Sequence, residues 1–282
     1  MNLLFRTLAT LPLGLLQALG WALGCLVALI SPTYRRRLLA NARQAGFGAG
    51  LSWRAAAHAG AMVMELPRLW LGSPVPVTWE GEAFIDKALA QGQGVVFLTP
   101  HLGSFEVTAQ AYAQRFGAQQ PMTVLFRPAR QAGLQAVVAQ SRQRPGLLTA
   151  PTSLAGVKQL IQALRRGQCV GLLPDQVPPQ GQGVWAPFFG QDAYTMTLSV
   201  RLAQQTGACV LLAWGERRWG GFVVHVHSLE ELLGVDAQAL QDLSSKAGAT
   251  LINRAMERLI ERCPQQYLWG YARYKSPRQE AP

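Results

Sequence analysis

A histidine and a glutamate five residues apart follow the most strand-like stretch of the chain. The apolar run Val95 to Leu98 predicts a buried strand, which Pro100 ends. His101 comes next, and Glu106 stands near the start of a helical pattern that begins at Phe105. A neutral imidazole with one nitrogen held by a carboxylate can take a proton from an alcohol at its other nitrogen. The two residue types could therefore activate a hydroxyl as the nucleophile toward an activated acyl group.

This chemistry requires a particular local structure around the two side chains. On one regular helix, residues five apart would point well away from each other, at about 100° per residue. We therefore expect His101 in the loop that leaves the strand, and Glu106 in the first helical turn with Ser104 as its N-cap. The helix N–H groups would then lie at the carboxyl end of a strand, where open α/β sheets bind ligands. Alternatively, His101 caps a turn and Glu106 is a solvated acid of the first turn.

The rest of the chain predicts an α/β fold, a mainly parallel sheet flanked by helices. Strand patterns at Met122–Phe126 and Cys169–Leu173 are separated by an amphipathic helix, Leu154 to Arg166. Such strand–helix–strand units favour parallel pairing with helices on the faces of the sheet. A strand pair, Ala208–Trp214 and Gly221–His227, follows later in the chain. With 282 residues and no internal repeat or linker, we expect one catalytic domain with an appendage.

The appendage is an apolar N-terminal segment. Leu8 to Ile30 contains no charged residue and is long enough to cross a bilayer core as a helix. Arg35, Arg36 and Arg37 follow, whereas only Arg6 precedes it, so the positive-inside rule places the bulk of the chain in the cytoplasm. We expect a membrane anchor helix over residues 1–31 and the catalytic domain over residues 32–282. A cleaved signal peptide and a buried core helix are the alternatives.

Composition narrows the class of partner. Lys and Arg number 26 against 15 Asp and Glu, a formal net charge of +11, which suits an anionic partner such as nucleic acid, a phospholipid surface or an acidic carrier protein. No recognisable nucleic-acid-binding motif accompanies the charge. Four scattered cysteines without Cys-x-x-Cys spacing indicate buried thiols in a reducing compartment. His225 and His227 share a strand face, but no acid or cysteine stands at ligand spacing, so we expect no metal.

Several further motifs follow one another in an order that can be compared with known families. After His-x4-Glu come Leu125-Phe126-Arg127-Pro128, the helix Leu154 to Gly167, Leu173-Pro174-Asp175-Gln176, Pro187-Phe188-Phe189-Gly190 and Gln266-Tyr267-Leu268-Trp269. In this order the chain resembles the late acyltransferases of lipid A biosynthesis, the lauroyl/myristoyl branch of the lysophospholipid acyltransferase superfamily. The resemblance spans nearly the whole chain, and it implies a fold like that of the glycerolipid acyltransferases.

The resemblance also implies a reaction and a location. It implies transfer of a fatty acyl group from an acyl carrier protein or CoA thioester to a hydroxyl of a lipid A precursor, with no cofactor. His101 would be the general base and Glu106 its orienting partner. The acceptor would be an anionic glycolipid, and the enzyme would sit at the bacterial inner membrane with its catalytic domain on the cytoplasmic face.

Four residues are candidates for substrate binding. Arg127, at a strand end, could bind an acceptor phosphate through its planar fork of donors, or it could form an ion pair with Asp175. Arg142 is a second candidate for the phosphate. Asp175 could hold an arginine or sugar hydroxyls, and Arg273 is a further candidate for a phosphate contact. Relatives commonly carry Trp-x-His-Arg-Arg-Phe-Lys near Arg273, but here Tyr271 replaces the histidine.

Three other functions compete with this interpretation. The first is an acyltransferase for another membrane lipid, a glycerophospholipid or an amino-acid lipid. Glycerophosphate-type relatives usually have Asp instead of Glu106 and a Glu-Gly-Thr-Arg block, and this chain has neither. The second is a non-catalytic, membrane-associated binding protein. A serine hydrolase is the third, and the absence of Gly-x-Ser-x-Gly around Ser104 disfavours it.

Overall fold

The computed structural model of the protein describes residues 2–126 and 144–279. Its N-terminal apolar region forms two helices, α1 (Asn2–Thr10) and α2 (Leu13–Ile30), where the sequence suggested one. Pro12 lies between them because its ring nitrogen has no N–H to donate to the preceding turn. Pro32, at the first position of the next helix, follows the Ser31 cap, whose side chain accepts a hydrogen bond from the Tyr34 N–H.

Regular elements occupy most of the described residues. The remaining helices are α3 (Pro32–Gln44), α4 (Leu51–Leu71), α5 (Glu82–Ala90), α6 (Phe105–Arg115), α7 (Leu154–Arg165), α8 (Leu198–Thr206), α9 (Leu229–Leu233) and α10 (Ser245–Arg262). The strands are β1 (Val77–Glu80), β2 (Val95–Leu98), β3 (Met122–Phe126), β4 (Leu147–Pro151), β5 (Cys169–Leu172), β6 (Gly183–Phe188), β7 (Gln191–Met196), β8 (Cys209–Arg218) and β9 (Gly221–Ser228). Short 3₁₀ turns lie at Ala237–Leu240 and Pro264–Gln266.

Seven strands form one sheet in the order β1-β9-β8-β2-β5-β3-β4. Every neighbouring pair is parallel except β8 and β9, which form an antiparallel hairpin. The predicted α/β class with a mainly parallel sheet is confirmed. Because β2 and β5 are parallel neighbours, the residues that follow them emerge at the same edge, and the Thr99 N–H donates to the Leu172 carbonyl there.

Helices cover both faces of the sheet, and alternate residues of β2 face opposite cores. Val96 and Leu98 pack in the cluster that contains α7, α8 and α10, whereas Val95 and Phe97 pack in the cluster that contains α5 and α6. All four β2 residues are buried, as expected for a central parallel strand. The strand that carries the predicted site is therefore fixed from both sides.

One supersecondary element was not predicted. Residues 183–196 form the antiparallel hairpin β6–β7. Its turn uses two positive φ angles, at Phe189 (+47°) and Gly190 (+76°), which is the backbone of a type I′ two-residue hairpin. In the sequence only Gly190 indicates such a turn, since a phenylalanine rarely adopts a positive φ angle. Helix α8 consequently begins at Leu198.

Helix α2 is packed along α4 through small residues. Gly20 and Gly24 of α2 lie directly against Gly60 and the Ala56 backbone of α4, so close that a Cβ on any of the three glycines would overlap backbone atoms. The opposite face of α2 is apolar and exposed, and it consists of Leu15, Leu19, Leu23, Leu26, Val27, Leu29 and Ile30. Among the described residues, α2 is the one helix long and apolar enough to cross a membrane, and it fits the predicted anchor.

The close packing predicts that Gly24→Val lowers stability more than the same side chain on the outer face of α2. At Gly24 the new methyl groups would meet the Ala56 carbonyl, whereas Ala22→Val adds them to the exposed face. We expect Gly24→Val to lower the free energy of unfolding by about 1–3 kcal/mol, as overpacking does. Thermal unfolding of both variants in the same detergent measures this difference, and equal midpoints would contradict it.

Candidate active site

His101 lies in the loop between β2 and α6, as the sequence predicts, and α6 begins at Phe105. Several peptide groups of this loop have defined partners. The His101 carbonyl accepts from the Leu268 N–H, the Gly103 N–H donates to the Gln266 carbonyl, and the Ser104 N–H donates to the Gly215 carbonyl. Gly103 has φ +63°, and a Cβ there would overlap the Gly215 carbonyl oxygen. Only glycine allows the loop to approach β8 this closely.

The carboxylate that holds the imidazole belongs to Asp175. Asp175 Oδ1 lies 2.7 Å from His101 Nδ1, and Oδ2 accepts the His101 backbone N–H at 2.9 Å. Asp175 follows β5, and its side chain is 2% exposed, whereas that of His101 is 15% exposed. One carboxylate thus fixes both the ring and the main chain of His101. The adjacent parallel strands β2 and β5 bring the two residues together.

Electrostatics favour the ionised form of this carboxylate. Burial raises the pKa of Asp175. The charge of His101, its two hydrogen bonds to the carboxylate and the nearby charge of Arg273 together lower this pKa by more, so it lies below the ordinary value for aspartate. An ionised Asp175 can only accept hydrogen bonds, so Nδ1 of a neutral His101 carries the proton and Nε2 carries the lone pair. This is the tautomer that a general base at Nε2 requires.

Gln176 contacts the basic nitrogen. Its side-chain nitrogen lies 3.0 Å from His101 Nε2, and in the tautomer above the amide donates to that lone pair. The sequence alone does not mark Gln176 as a site residue, although it stands in the Pro-Asp-Gln motif on which the resemblance rests. The motif places Asp175 and Gln176 on the two nitrogens of one ring.

The contacts of Glu106 in the structure differ from the predicted contact with His101. Glu106 does lie in the first turn of α6, but its Oε2 accepts from the Trp70 indole at 3.3 Å. Arg144 interacts electrostatically with it. The orienting contact to Nδ1 comes from Asp175, because the imidazole points across the sheet edge toward β5, whereas Glu106 points toward α4.

The start of α6 differs in a second detail. Ser104 occupies the N-cap position, but its side chain makes no capping hydrogen bond. The Gly103 and Ser104 N–H groups donate to the Gln266 and Gly215 carbonyls, and the Val107 N–H donates to the Ser104 carbonyl. The helix amides of Phe105 and Glu106, in the first turn beside His101, are the remaining candidates for holding an oxyanion.

The structure describes two of the four predicted substrate-binding residues, Asp175 and Arg273. Arg127 and Arg142 lie outside the described residues. Asp175 contacts His101, where the sequence suggested an arginine or sugar hydroxyls.

Arg273 is 3% exposed and donates to the Tyr194 carbonyl at 2.7 Å and to Thr195 Oγ1 at 2.7 Å. This burial corrects the expected phosphate contact, since Arg273 is instead an internal brace between the C-terminal segment and β7.

Tyr271, which departs from the pattern of relatives, also has a structural contact. Its phenolic oxygen accepts the Val177 N–H at 2.9 Å, just after Gln176. Asn41 of α3 donates to the Tyr271 and Trp269 carbonyls at 2.7 Å each. The C-terminal segment therefore holds the loop that carries Asp175 and Gln176.

A narrow apolar cavity of about 50 Å³ lies between α6 and the sheet. Its lining approaches the site at Thr99, Phe105 and Leu173, and it continues between strand residues and the inner face of α6, including Phe97, Tyr112, Met122, Gly171 and Ala213. Phe105 also packs against the His101 ring, with centroids 4.9 Å apart. A larger groove of about 450 Å³ lies outside α6 and includes Arg68, Gln110 and Arg144.

The two remaining strand histidines lie away from this site. His225 contacts Glu216 and Glu80, and His227 contacts Glu231. Over residues 2–126 and 144–279, no group of three or more His, Cys, Asp or Glu side chains could hold a metal ion. The acidic contacts of His225 and His227 are thus pairwise ion-pair or hydrogen-bond contacts.

Known proteins resemble this chain over most of its length. It is 26% identical over 200 residues to the lipid A biosynthesis palmitoleoyltransferase of Escherichia coli K12, an alignment covering 70% of this chain and 61% of the relative. It is 26% identical over 197 residues to the lipid A biosynthesis lauroyltransferase of the same organism, with the same coverage. A lipid A biosynthesis acyltransferase of Haemophilus influenzae is 23% identical over 192 residues. The chain thus spans about three fifths of the length of these relatives.

A family model gives the assignment. The model for bacterial lipid A biosynthesis acyltransferases matches residues 55–276, which include β2, the His101 loop, the Asp175 loop and the C-terminal segment. The match covers well over half of the chain and every described residue of the site. The chain therefore belongs to the bacterial lipid A biosynthesis acyltransferase family.

Proposed function

We propose that the protein transfers a fatty acyl group from an acyl carrier protein thioester to a hydroxyl of a lipid A precursor, at the cytoplasmic face of a bacterial inner membrane. The observation that carries this proposal is the buried Asp175 carboxylate on His101 Nδ1, which leaves Nε2 basic. The names of the relatives, palmitoleoyltransferase and lauroyltransferase, support the acyl group and the acceptor class.

The geometry supports a single addition–elimination at the thioester. His101 Nε2 removes the proton of the acceptor hydroxyl while the oxygen attacks the thioester carbonyl, and Asp175 stabilises the imidazolium. The C–O bond forms, the carbonyl becomes an oxyanion, and the C–S bond then breaks. A thiol with a pKa near 8.5 departs with little acid assistance, and the imidazolium can return its proton to the thiolate. No covalent enzyme intermediate is required.

Three further groups support this chemistry. The Phe105 and Glu106 amides would donate to the oxyanion from the first turn of α6. The acceptor hydroxyl would replace the Gln176 amide as the donor to Nε2. We propose that Glu106 positions Trp70 and Arg144 near the acceptor.

Substrate binding is proposed from charge and shape. The net charge of +11 complements an acidic carrier protein and an anionic glycolipid. Arg127 and Arg142 stay predictions as phosphate ligands, and Arg144, beside the groove outside α6, is a third candidate. The apolar cavity between α6 and the sheet would admit the acyl chain. Its present volume holds only a small part of such a chain, so the cavity must widen on binding.

Membrane association is proposed from the exposed face of α2. Seven apolar side chains on that face have no cover among the described residues, and Arg35, Arg36 and Arg37 follow the helix. A membrane-anchoring helix with cations at its cytoplasmic end fits the positive-inside rule. We keep the proposed division into an anchor over residues 1–31 and a catalytic domain over residues 32–282, although α2 also packs on α4.

The proposed reaction predicts that His101→Ala lowers acyl transfer by at least about a hundredfold, because a positioned base contributes on that order. The assay supplies acyl carrier thioesters and a panel of acceptors, including a lipid A precursor and a lysoglycerophospholipid. His227→Gln is the control, since His227 pairs with Glu231 away from the site. Turnover near that of the wild type by His101→Ala would overturn the mechanism, and transfer only to the glycerolipid would overturn the acceptor.

The site geometry predicts that Asp175, not Glu106, sets the tautomer of His101. In nitrogen NMR of histidine-labelled protein, we expect the Nδ1–H form in the wild type and in Glu106→Gln, and a disturbed tautomer in Asp175→Asn. Transfer by Asp175→Asn should fall by about a hundredfold or more, since the analogous change in a Ser-His-Asp triad costs on the order of 10⁴. An unchanged tautomer in Asp175→Asn would contradict the assignment.

The cavity predicts that two substitutions shift acyl-chain preference in opposite directions. A Cβ at Gly171 would lie 3.0 Å from Val124 Cγ1 and 3.4 Å from Met122 Sδ, so Gly171→Ala narrows the cavity. Met122→Ala widens it. We expect shorter chains to be favoured in the first variant and longer chains in the second, by about tenfold in kcat/KM per methylene-sized step. Competition between thioesters of different length measures this, with the exposed Leu148→Ala as control. A shift in the same direction in both variants would exclude the cavity as the acyl site.

A further inference from the structure

An ion pair is buried behind the active-site loop. Arg217 of β8 donates from Nε to Glu65 Oε1 at 2.6 Å and from Nη2 to Glu65 Oε2 at 2.9 Å. The side chains are 1% and 0% exposed. This bidentate pair joins α4 to the sheet. It lies outside the contacts that the proposed mechanism uses.

The pair is attached to the loop that carries His101. Arg217 Nη2 also donates to the Gly103 carbonyl at 3.1 Å. The Gln266 side chain bonds both the N–H and the carbonyl of Arg217, at 2.8 and 3.0 Å, while the Gln266 carbonyl accepts the Gly103 N–H. Both peptide groups that flank Gly103 are therefore tied to Arg217, one directly and one through Gln266.

The same pair is attached to the apolar helix α2. Gln17, which is fully buried, donates from Nε2 to Glu65 Oε1 and to the Arg218 carbonyl, each at 3.0 Å. Its Oε1 accepts the Gly220 N–H at 2.9 Å. Among the described residues, the three partners of this amide lie on α4 and on the β8–β9 hairpin. A helix that only anchored the chain would not need an amide at this position.

The neighbourhood keeps the pair's charges balanced. His58 Nδ1 lies 3.4 Å from Arg217 Nη1, and burial, then the charges of Arg217 and Arg54, lower the pKa of His58 to about 4. The imidazole is therefore neutral near neutral pH. One cation and one anion face each other in the cluster, and the Gln17 and Gln266 amides complete their hydrogen bonds.

A buried ion pair is a weak source of stability. Desolvation of the two charges offsets their attraction, and well-packed apolar replacements of both partners are often neutral or stabilising, whereas removal of one partner is strongly destabilising. Stability alone therefore does not account for the pair. What an apolar pair could not supply is the directed hydrogen bond from Arg217 to the Gly103 carbonyl.

We propose that Glu65 and Arg217 are positioning residues that hold the His101 loop for acyl transfer, and that Gln17 connects this pair to helix α2. The inference rests on the proposed function, since it assigns the pair a role in that reaction. Helix α2 then supports the active site in addition to presenting an apolar surface.

The test compares two kinds of change at the pair. Arg217→Lys keeps the charge but loses the planar fork that serves Glu65 and Gly103 together. Glu65→Met with Arg217→Met removes both charges, so that neither is left unpaired. We expect kcat to fall by about tenfold or more in each, with KM little changed, because small displacements of a catalytic group are costly. Gln17→Leu should give a smaller fall in kcat.

Stability separates positioning from folding. We expect the double methionine variant to unfold at or above the midpoint of Arg217→Met alone while its kcat stays low. The matched control is Arg218→Met, whose exposed side chain pairs with Glu216 and should leave kcat unchanged. If the double variant regained both stability and turnover, the role of the pair would be structural only, and the proposal would be overturned.

A second measurement does not depend on activity. Backbone hydrogen exchange of the segment 101–106 should quicken by about tenfold or more in Arg217→Lys and in the double variant, and not in Arg218→Met. Unchanged exchange would overturn the proposal whether or not the wild type transfers acyl groups. An inactive wild type with the expected exchange pattern would instead contradict the proposed function alone and leave the loop-positioning role supported.

Discussion

The structure of the site depends on one short contact across two parallel strands, that of Asp175 with His101. Its geometry follows from strand order, because β2 and β5 are neighbours and their carboxyl ends open at the same edge. The carboxylate accepts from both the ring and the main chain, so it fixes the position of the loop and the tautomer together. The C-terminal segment adds to this by binding the carbonyl of His101 and the amide after Gln176. Residues more than seventy positions apart in the chain thereby act on one imidazole.

Local features of the chain could be predicted from sequence because they rest on nearest-neighbour physics. The β2 strand, its loop and α6 follow from an apolar run, a proline and a helical period, and the parallel sheet follows from the alternation of elements. The pairing of His101 could not be predicted in this way. Glu106 is close in sequence, but Asp175 becomes close only when β5 takes its place beside β2. The resemblance marked Asp175 as a site residue, but the sequence did not indicate that its partner is His101.

The same distinction explains Arg273 and the β6–β7 hairpin. A basic residue near the C-terminus is most simply read as a surface cation, and only the tertiary structure shows the Tyr194 carbonyl and Thr195 hydroxyl that bury it. The hairpin turn depends on a phenylalanine with positive φ, which propensities count against. Gln176 was missed for a third reason, since an amide has no chemistry of its own that would mark it before its partner is known.

The glycine-lined contact between α2 and α4 has a mechanical consequence. A helix joined to a domain by a free linker would let that domain swing and rise above the lipid headgroups. Here Gly20 and Gly24 lock α2 along α4, and α4 in turn reaches Trp70, whose indole binds Glu106 beside the His101 loop. In the membrane-bound state proposed above, the depth of α2 in the bilayer would therefore set the height and tilt of the catalytic edge of the sheet, because packing joins the two.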